Sequence, residues 1–314
     1  MDIQKILDIE KDIKDLNIQG ATNVAIATLE GMKTYLQESK VTDKDLLFSE
    51  FIEVGNRLAD ARLNEPLARN GVKYVKHMVK KNSADLHTLE SMKQSLDGYC
   101  DSYLYMISDS KRAIIDLCVP YVKNLENILT HCHSSTAVSL IKGIAEGKES
   151  FDAVCTETRP LMQGRKTARS LLEGGISTTL IADSAAESFV IGRGSISIDG
   201  VLMGCDQITM KGYCINKIGS WGIAMSSFYA SKPLYVVSPL LKVDPNIGVD
   251  NIVIEVRESK ELWGDAPKGL NMFNPAFEII DNNLITGFLT EFGILKPSEI
   301  ADVIRAKYSW LFES

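Results

Sequence analysis

Thr130-His131-Cys132, which follows the apolar pair Ile128-Leu129, is the first of five motifs whose order between Ile128 and Ser220 decides the fold. The others are Glu157-Thr158-Arg159-Pro160 with Gln163-Gly164, Asp183-Ser184-Ala185-Ala186, Gly204-Cys205-Asp206, and Asn216-Lys217-Ile218-Gly219-Ser220. The first four each follow a short apolar run, and all but the third lead into a small-residue or glycine-containing turn. Apolar runs ending in polar turns gather functional groups at one edge of a parallel sheet. A thiol and a carboxylate placed there are equipped for proton transfer.

Around these motifs, short apolar runs alternate with amphipathic segments. The runs are Ile128–Leu129, Ala153–Val154, Thr178–Ala182, Val201–Met203 and Leu234–Val237. The helices expected between them are Thr136–Glu146, Arg165–Glu173, Ala185–Val190 and Ile218–Ala230, with Gly147 and Gly174-Gly175 as helix stops and Ser184-x-x-Glu187 as a capping box. Such alternation predicts an α/β fold, a parallel sheet covered on both faces. Before about residue 120 the pattern is helical instead. Ile3, Ile6, Leu7, Ile13 and Leu16 recur at helical spacing, as do Val24, Ala25, Leu29, Met32 and Leu36. Further helices are expected over Lys44–Ala59, Glu65–Lys81 and Ser83–Leu117, and the charged stretch Glu255–Lys268 reads as a solvated loop. No internal repeat or glycine-rich nucleotide fingerprint is present, Gly192-Arg193-Gly194 being too short to count as one.

A chain of 314 residues can bury a large core and is expected to form two domains. With 41 carboxylates against 34 Lys and Arg, its net charge of −7 argues against direct nucleic-acid binding, which needs a basic footprint. No apolar stretch is long and clean enough to span a bilayer, and the charged start Met1-Asp2-Ile3-Gln4-Lys5 does not read as a secretory signal. The six cysteines form no C-x-x-C pair, so reduced thiols in the cytoplasm are expected.

Cys132 follows a strand, with Ser134 or Ser135 placed to cap the next helix, where the helix dipole favours a thiolate. Cys100, Cys118, Cys155 and Cys214 read as small buried apolar residues. Asp206 closes an apolar strand; it reads equally as a desolvated carboxylic acid and as a cap or ion-pair partner. Arg159 is available to clamp a phosphate or to pair with Glu157 or Asp183, and the pairing is the preferred reading. Gln163, Asn216 and Lys217 are polar groups at strand-edge turns, suited to a sugar hydroxyl or phosphate, and Gly219 lets an anion approach a helix start. His131-Cys132-His133 has adjacent side chains that diverge, so no metal site is expected.

Together these blocks resemble the superfamily that joins ribose-1,5-bisphosphate isomerase, methylthioribose-1-phosphate isomerase and the alpha, beta and delta subunits of translation initiation factor 2B. The likeness is densest from Ile128 to Lys242. It extends through Ile18-Gln19-Gly20-Ala21, Ala61-Arg62 with Glu65-Pro66-Leu67-Ala68, and Asn274-Pro275-Ala276-Phe277-Glu278. The resemblance implies a helical domain over residues 1–122 and a Rossmann-like domain over residues 123–314. It implies Cys132 and Asp206 as the catalytic pair, with Gly20, Arg62, Gln163, Asn216 and Lys217 binding a phosphorylated sugar and no cofactor. A homodimer or an assembly of dimers is the implied oligomer. Three positions depart from the isomerase pattern: Gln19 stands where an Arg is usual, His133 where Asn is common, and Leu63 follows Arg62 in place of Pro. A neutral amide at position 19 cannot make a charge-assisted bond to phosphate.

The expected activity is aldose–ketose isomerisation of a sugar 1-phosphate. The alternative is a non-catalytic regulatory subunit of the translation-factor type, binding a sugar phosphate or nucleotide.

Overall fold

The computed structural model describes residues 3–313; Met1, Asp2 and Ser314, and with Met1 and Asp2 the beginning of the charged start, lie outside them. The chain divides into two compact units. One comprises Met1–Asp109, Leu241–Pro245 and Asp302–Ser314, the other Ser110–Leu240 and Asn246–Ala301.

Helical periodicity becomes α1 (Ile3–Lys14), α2 (Ala21–Glu38), α3 (Lys44–Ala59), α4 (Pro66–Lys81) and α5 (Leu89–Val122). In the helical unit α2 packs on α3 and α4, burying Val24, Leu29, Met32 and Leu36 with Leu47, Phe51 and Leu58. Each such side chain contributes about 1.5–3 kcal/mol. Asp43 caps α3 by accepting from the N–H groups of Asp45 and Leu46, and Pro66 begins α4 where its missing donor costs nothing. Buried Asn70 donates to the carbonyls of Leu241 and Val243 at 2.7 and 2.8 Å, tying α4 to that segment. The helix expected from Ser83 starts instead at Leu89. Thr88 and Ser91 exchange side-chain-to-backbone bonds there, and Ser83–Asp85 is a separate 3-10 turn. Its end lies beyond Leu117 because Pro120, near the terminus, forfeits one helical bond and no more.

The second unit follows the strand–helix alternation: β1 (Asn127–Thr130), α6 (Ser135–Ala145), β2 (Asp152–Thr156), α7 (Gln163–Glu173), β3 (Ser177–Ile181), α8 (Ala186–Val190) and β4 (Gly200–Met203). Then come β5 (Gln207–Thr209), β6 (Cys214–Lys217), α9 (Ser220–Tyr229), β7 (Leu234–Val237), β9 (Phe277–Ile280), β10 (Gly287–Thr290) and β11 (Gly293–Leu295), while β8 (Val243–Asp244) and most of α10 (Ile300–Lys307) belong to the first unit. The large sheet has the order β11-β10-β7-β4-β1-β2-β3 and is parallel except for β11, which runs against β10 at the edge. Its central strands are apolar on both sides, whereas edge strand β3 exposes Ser177 and Leu180. Ile128, Ala153, Leu202, Val237 and Leu289 join the core with α5, α6 and α7, while Leu129, Val154, Val201, Val236 and Phe288 alternate with them and are buried too.

Because β2 and β3 lie on one side of β1 and β4 on the other, the strand order reverses between β1 and β4. Ligands of open α/β sheets bind outside the carboxyl ends of strands at such a switch point.

A smaller antiparallel arrangement of β5, β6 and β9 was not evident in the sequence, since none of these short strands alternates cleanly. Two local expectations are corrected. The Ser184–Glu187 capping box does not form: α8 begins after Ala185 and has no side-chain cap. The stretch from Glu255 to Lys268 is solvated only in part: Val256, Glu258, Lys260 and residues 263–265 are exposed, whereas Arg257 bridges Glu255 and Glu261 at 3.1 and 2.6 Å in a half-buried network. Among the described residues no helix is long and apolar enough to cross a membrane.

Candidate active site

At the carboxyl end of β1 the backbone turns sharply at Cys132, whose φ is 67°. A non-glycine residue in this left-handed region is strained by about 1–3 kcal/mol and needs support from its surroundings. Two threonines supply it. The Cys132 N–H donates to Thr158 Oγ1 at 3.0 Å, and Thr167 Oγ1 donates to the Cys132 carbonyl at 2.8 Å. Thr158 itself has a φ of 64° and is held by Asp183, whose carboxylate accepts from the N–H groups of Thr158 and Arg159 at 2.7 and 2.6 Å. The ends of β1, β2 and β3 are thus laced together, and the Arg159–Pro160 peptide in this turn is cis. Ser134 caps α6 by accepting from the Ala137 N–H.

Cys132 is half-buried and the other five cysteines are fully buried; all six are free thiols. Desolvation pushes the Cys132 thiol up to about 11, Lys217 opposes that shift, and Asp206 and Asp183 reinforce it. Burial therefore opposes the thiolate that the helix dipole favours. A helix dipole, worth about 0.3–1 kcal/mol, is too weak against the loss of water.

His131 is buried, with Nδ1 2.7 Å from Thr156 Oγ1 and Nε2 2.9 Å from the Ile218 carbonyl. A carbonyl only accepts, so Nε2 carries the proton and Nδ1 accepts from the Thr156 hydroxyl. Burial lowers the ring's pKa to about 4, which keeps it neutral at physiological pH. With both nitrogens committed, His131 offers no metal a lone pair. No cluster of three or more His, Cys, Asp or Glu able to hold a metal occurs among the described residues.

Asp206 follows β4 directly, half-buried, with its backbone N–H bonded to the Ile215 carbonyl at 2.9 Å. At Gly204 an added Cβ would lie 2.4 Å from the Ser134 Cβ, so glycine allows the ends of β4 and α6 to meet. Asn216 and Lys217, read as turn residues, are the last two residues of β6 and are buried. Asn216 Nδ2 donates to Ser220 Oγ at 2.9 Å. The Lys217 ammonium lies 4.4 Å from the centre of the Phe277 ring and has no carboxylate within ion-pair distance among the described residues. Gln163 is the first residue of α7, and its side-chain oxygen is buried without a hydrogen-bond donor among the described residues.

The anion at the start of α9 is the protein's own. Glu278 Oε1 accepts from the Trp221 N–H at 2.7 Å, so the approach expected at Gly219 is already filled. Arg159 pairs with neither predicted carboxylate through its side chain. Its guanidinium donates to the Leu262 carbonyl at 2.8 Å, while Glu157 pairs with Arg165 at 3.0 Å.

Asp206 and Lys217 thus both act electrostatically on the Cys132 thiol, which stands at the end of β1 beside the switch point. Gly20 and Arg62 belong to the helical unit. Gly20 precedes α2 with a φ of 85°, and exposed Gln19 donates to its own neighbour's carbonyl, Leu16 O, at 2.7 Å. Arg62 is buried against Glu65 at 3.1 Å. The residues missed were Thr156, Thr158, Thr167, Phe277 and Glu278. Thr158, Phe277 and Glu278 sit inside quoted motifs, whereas Thr156 and Thr167 carry no signal of their own.

Residues 17–297 match the initiation factor 2 subunit family. The chain is 28% identical to the ribose 1,5-bisphosphate isomerase of Pyrococcus furiosus, over 100% of this chain and 97% of that protein. It is 31% identical to the ribose 1,5-bisphosphate isomerase of Methanocaldococcus jannaschii, over 99% and 97% of the two chains. Its fold is that of the Pyrococcus horikoshii translation initiation factor eIF-2B, with a TM-score of 0.79 at 22% identity over 93% and 97% of the chains.

Proposed function

The chain belongs to the initiation factor 2 subunit family, and on that premise we propose that it is an aldose–ketose isomerase acting on a sugar 1-phosphate of the ribose 1,5-bisphosphate kind. The observation that carries this reading is the half-buried Cys132 thiol with Asp206 and Lys217 in electrostatic reach. A thiol, a carboxylate and a buried cation free of any carboxylate suit an anionic substrate that must exchange protons.

A sugar phosphorylated on its anomeric oxygen cannot open by the ordinary hemiacetal route. In the proposed reaction protonated Asp206 donates to the ring oxygen as the C1–O ring bond breaks. Cys132, as thiolate, removes the C2 proton, leaving an enol phosphate. The proton on sulfur returns to C1, and the C2 hydroxyl proton passes back to Asp206, giving the 2-ketose 1-phosphate with both groups reset. Thiolate with carboxylic acid and thiol with carboxylate differ in which partner holds one proton, and the titration belongs to the pair. Lys217 biases that proton away from sulfur. In this reading Lys217 and Asn216 hold the phosphorylated sugar, and the Gln163 oxygen accepts from a sugar hydroxyl. For Gly20 the reading requires its backbone N–H to meet an anion. For Arg62 it requires phosphate to compete with Glu65. Residues 1–122 serve as the helical domain and 123–314 as the catalytic domain, in a cytoplasmic homodimer or assembly of dimers that needs no cofactor.

Two features favour the second reading, a non-catalytic regulatory subunit: Gln19 supplies no charge, and Arg62 is already matched by Glu65. Phosphorus NMR with ribose 1,5-bisphosphate and related pentose 1-phosphates separates the two. Conversion to the 2-ketose phosphate, lost in Cys132→Ser and Asp206→Asn, supports the isomerase. Binding without turnover across the panel supports the regulatory subunit.

A further inference from the structure

We propose that His131 is a positioning residue whose imidazole fixes the Lys217 turn against the Cys132 turn. The proposal rests on reading Cys132 and Lys217 as site groups, and not on the identity of any substrate. His131 immediately precedes Cys132, and Ile218, which accepts its Nε2–H at 2.9 Å, immediately follows Lys217. No backbone ladder joins these strands: β1 pairs with β2 and β4, and β6 pairs with β5 and β9. Apart from the backbone bond between the Asp206 N–H and the Ile215 carbonyl, the geometry of the Lys217 ammonium relative to the thiol therefore depends on side-chain bonds that cross between the two sheets, of which His131 to Ile218 is one.

An imidazole suits this task. It presents a donor and an acceptor on opposite edges of a rigid ring, whereas an Asn or Gln amide carries both at one end. Here the far edge is anchored by Thr156 at 2.7 Å, so the ring cannot tilt without losing that bond. There is little slack on the other side. A Cβ at Gly219 would lie 3.1 Å from the ring's Cε1. The charged groups that act on this ring are Asp183 and Lys217, and those that act on the Cys132 thiol are Lys217, Asp206 and Asp183. Cutting the link to Ile218 leaves Lys217 free to move away from sulfur.

The test is the pH dependence of Cys132 alkylation by iodoacetamide, with Cys132→Ser as the blank for the five buried thiols. Lys217→Met should raise the midpoint of the profile by removing the cation that favours thiolate. His131→Asn, which keeps a partner for Thr156 and loses Ile218, should raise it in the same direction by about 0.5–1 pH unit. The double variant should lie no higher than Lys217→Met alone, since both changes remove one interaction. His131→Phe preserves the ring's volume against Gly219 without its hydrogen bonds, and reports the same shift should the Asn protein fail to fold. An unchanged midpoint in the folded His131 variants, or shifts that add in the double variant, overturns the proposal. Alkylation needs no substrate, so absence of isomerase turnover sinks the functional reading alone and leaves this one standing.

Discussion

Glu278 Oε1 accepts a 2.7 Å hydrogen bond from the Trp221 N–H, and the neighbouring N–H groups of Gly219 and Ser220 also favour its ionised form. The first turn of α9 is thus satisfied by a residue of β9, fifty-seven positions away in sequence. Desolvation raises the Glu278 pKa above its ordinary value, these hydrogen bonds oppose the rise, and Glu187 adds to it. With the folded value above the unfolded one, the folded state holds the proton more tightly, so stability falls as pH rises through that window. Glu278→Gln removes the titration. Urea unfolding should show the Gln protein gaining on wild type between about pH 4.5 and pH 7, and an equal difference at both would contradict the shift. Glu278→Ala, which leaves the turn uncapped, should cost about 1 kcal/mol.

Lys217 is buried over Phe277, and among the described residues no carboxylate lies within ion-pair distance of it. A cation kept in that state is retained for something other than stability. Lys217→Met should lower kcat/KM for a sugar phosphate by about 10- to 100-fold, the loss of one charge-assisted contact. It should melt no lower than wild type. A marked drop in melting temperature would mean that the ammonium is needed by the fold.

Gly219 has a φ of 103°, and the space where a Cβ would stand is bounded by the His131 ring. Both strain and contact predict that Gly219→Ala loses about 1–3 kcal/mol in denaturant unfolding. A change below about 0.5 kcal/mol would show that the turn can relax away from the imidazole.

His133 Nδ1 lies 3.0 Å from Thr167 Oγ1, and burial, with Lys166 and Lys111 nearby, lowers its pKa to about 4. Below an unfolded value of 6.5 the unfolded chain takes up a proton that the folded chain refuses, so stability is lost as pH falls from 6.5 towards 4. His131 adds to the loss in the same window. In His133→Asn the acid-induced loss between about pH 7 and pH 5 should shrink, by on the order of 1 kcal/mol. An unaltered slope would assign the acid sensitivity to other groups.

The parallel strands were legible because a strand buried on both faces must be apolar throughout, and Ile128–Leu129, Val201–Met203 and Leu234–Val237 meet that requirement in short range. Helix stops at Gly147 and Gly174-Gly175 were equally local, both lying where the helix ends. β5 and β6 escaped notice because Gln207-Ile208-Thr209 and Cys214-Ile215-Asn216-Lys217 mix polar and apolar residues that tertiary packing buries together. Arg159 could not be assigned a partner from sequence, since the Leu262 carbonyl that it binds is more than a hundred residues distant.

The order of the motifs by itself determined that Cys132, Gln163, Asp206 and Lys217 would come to strand and helix ends, because apolar patterning and turn chemistry act over a few residues. The state of the thiol, the neutrality of His131, and the carboxylate on α9 were decided by tertiary structure alone. Each depends on how much water is excluded and which groups from distant strands face one another. Those quantities exist only once the sheets have packed.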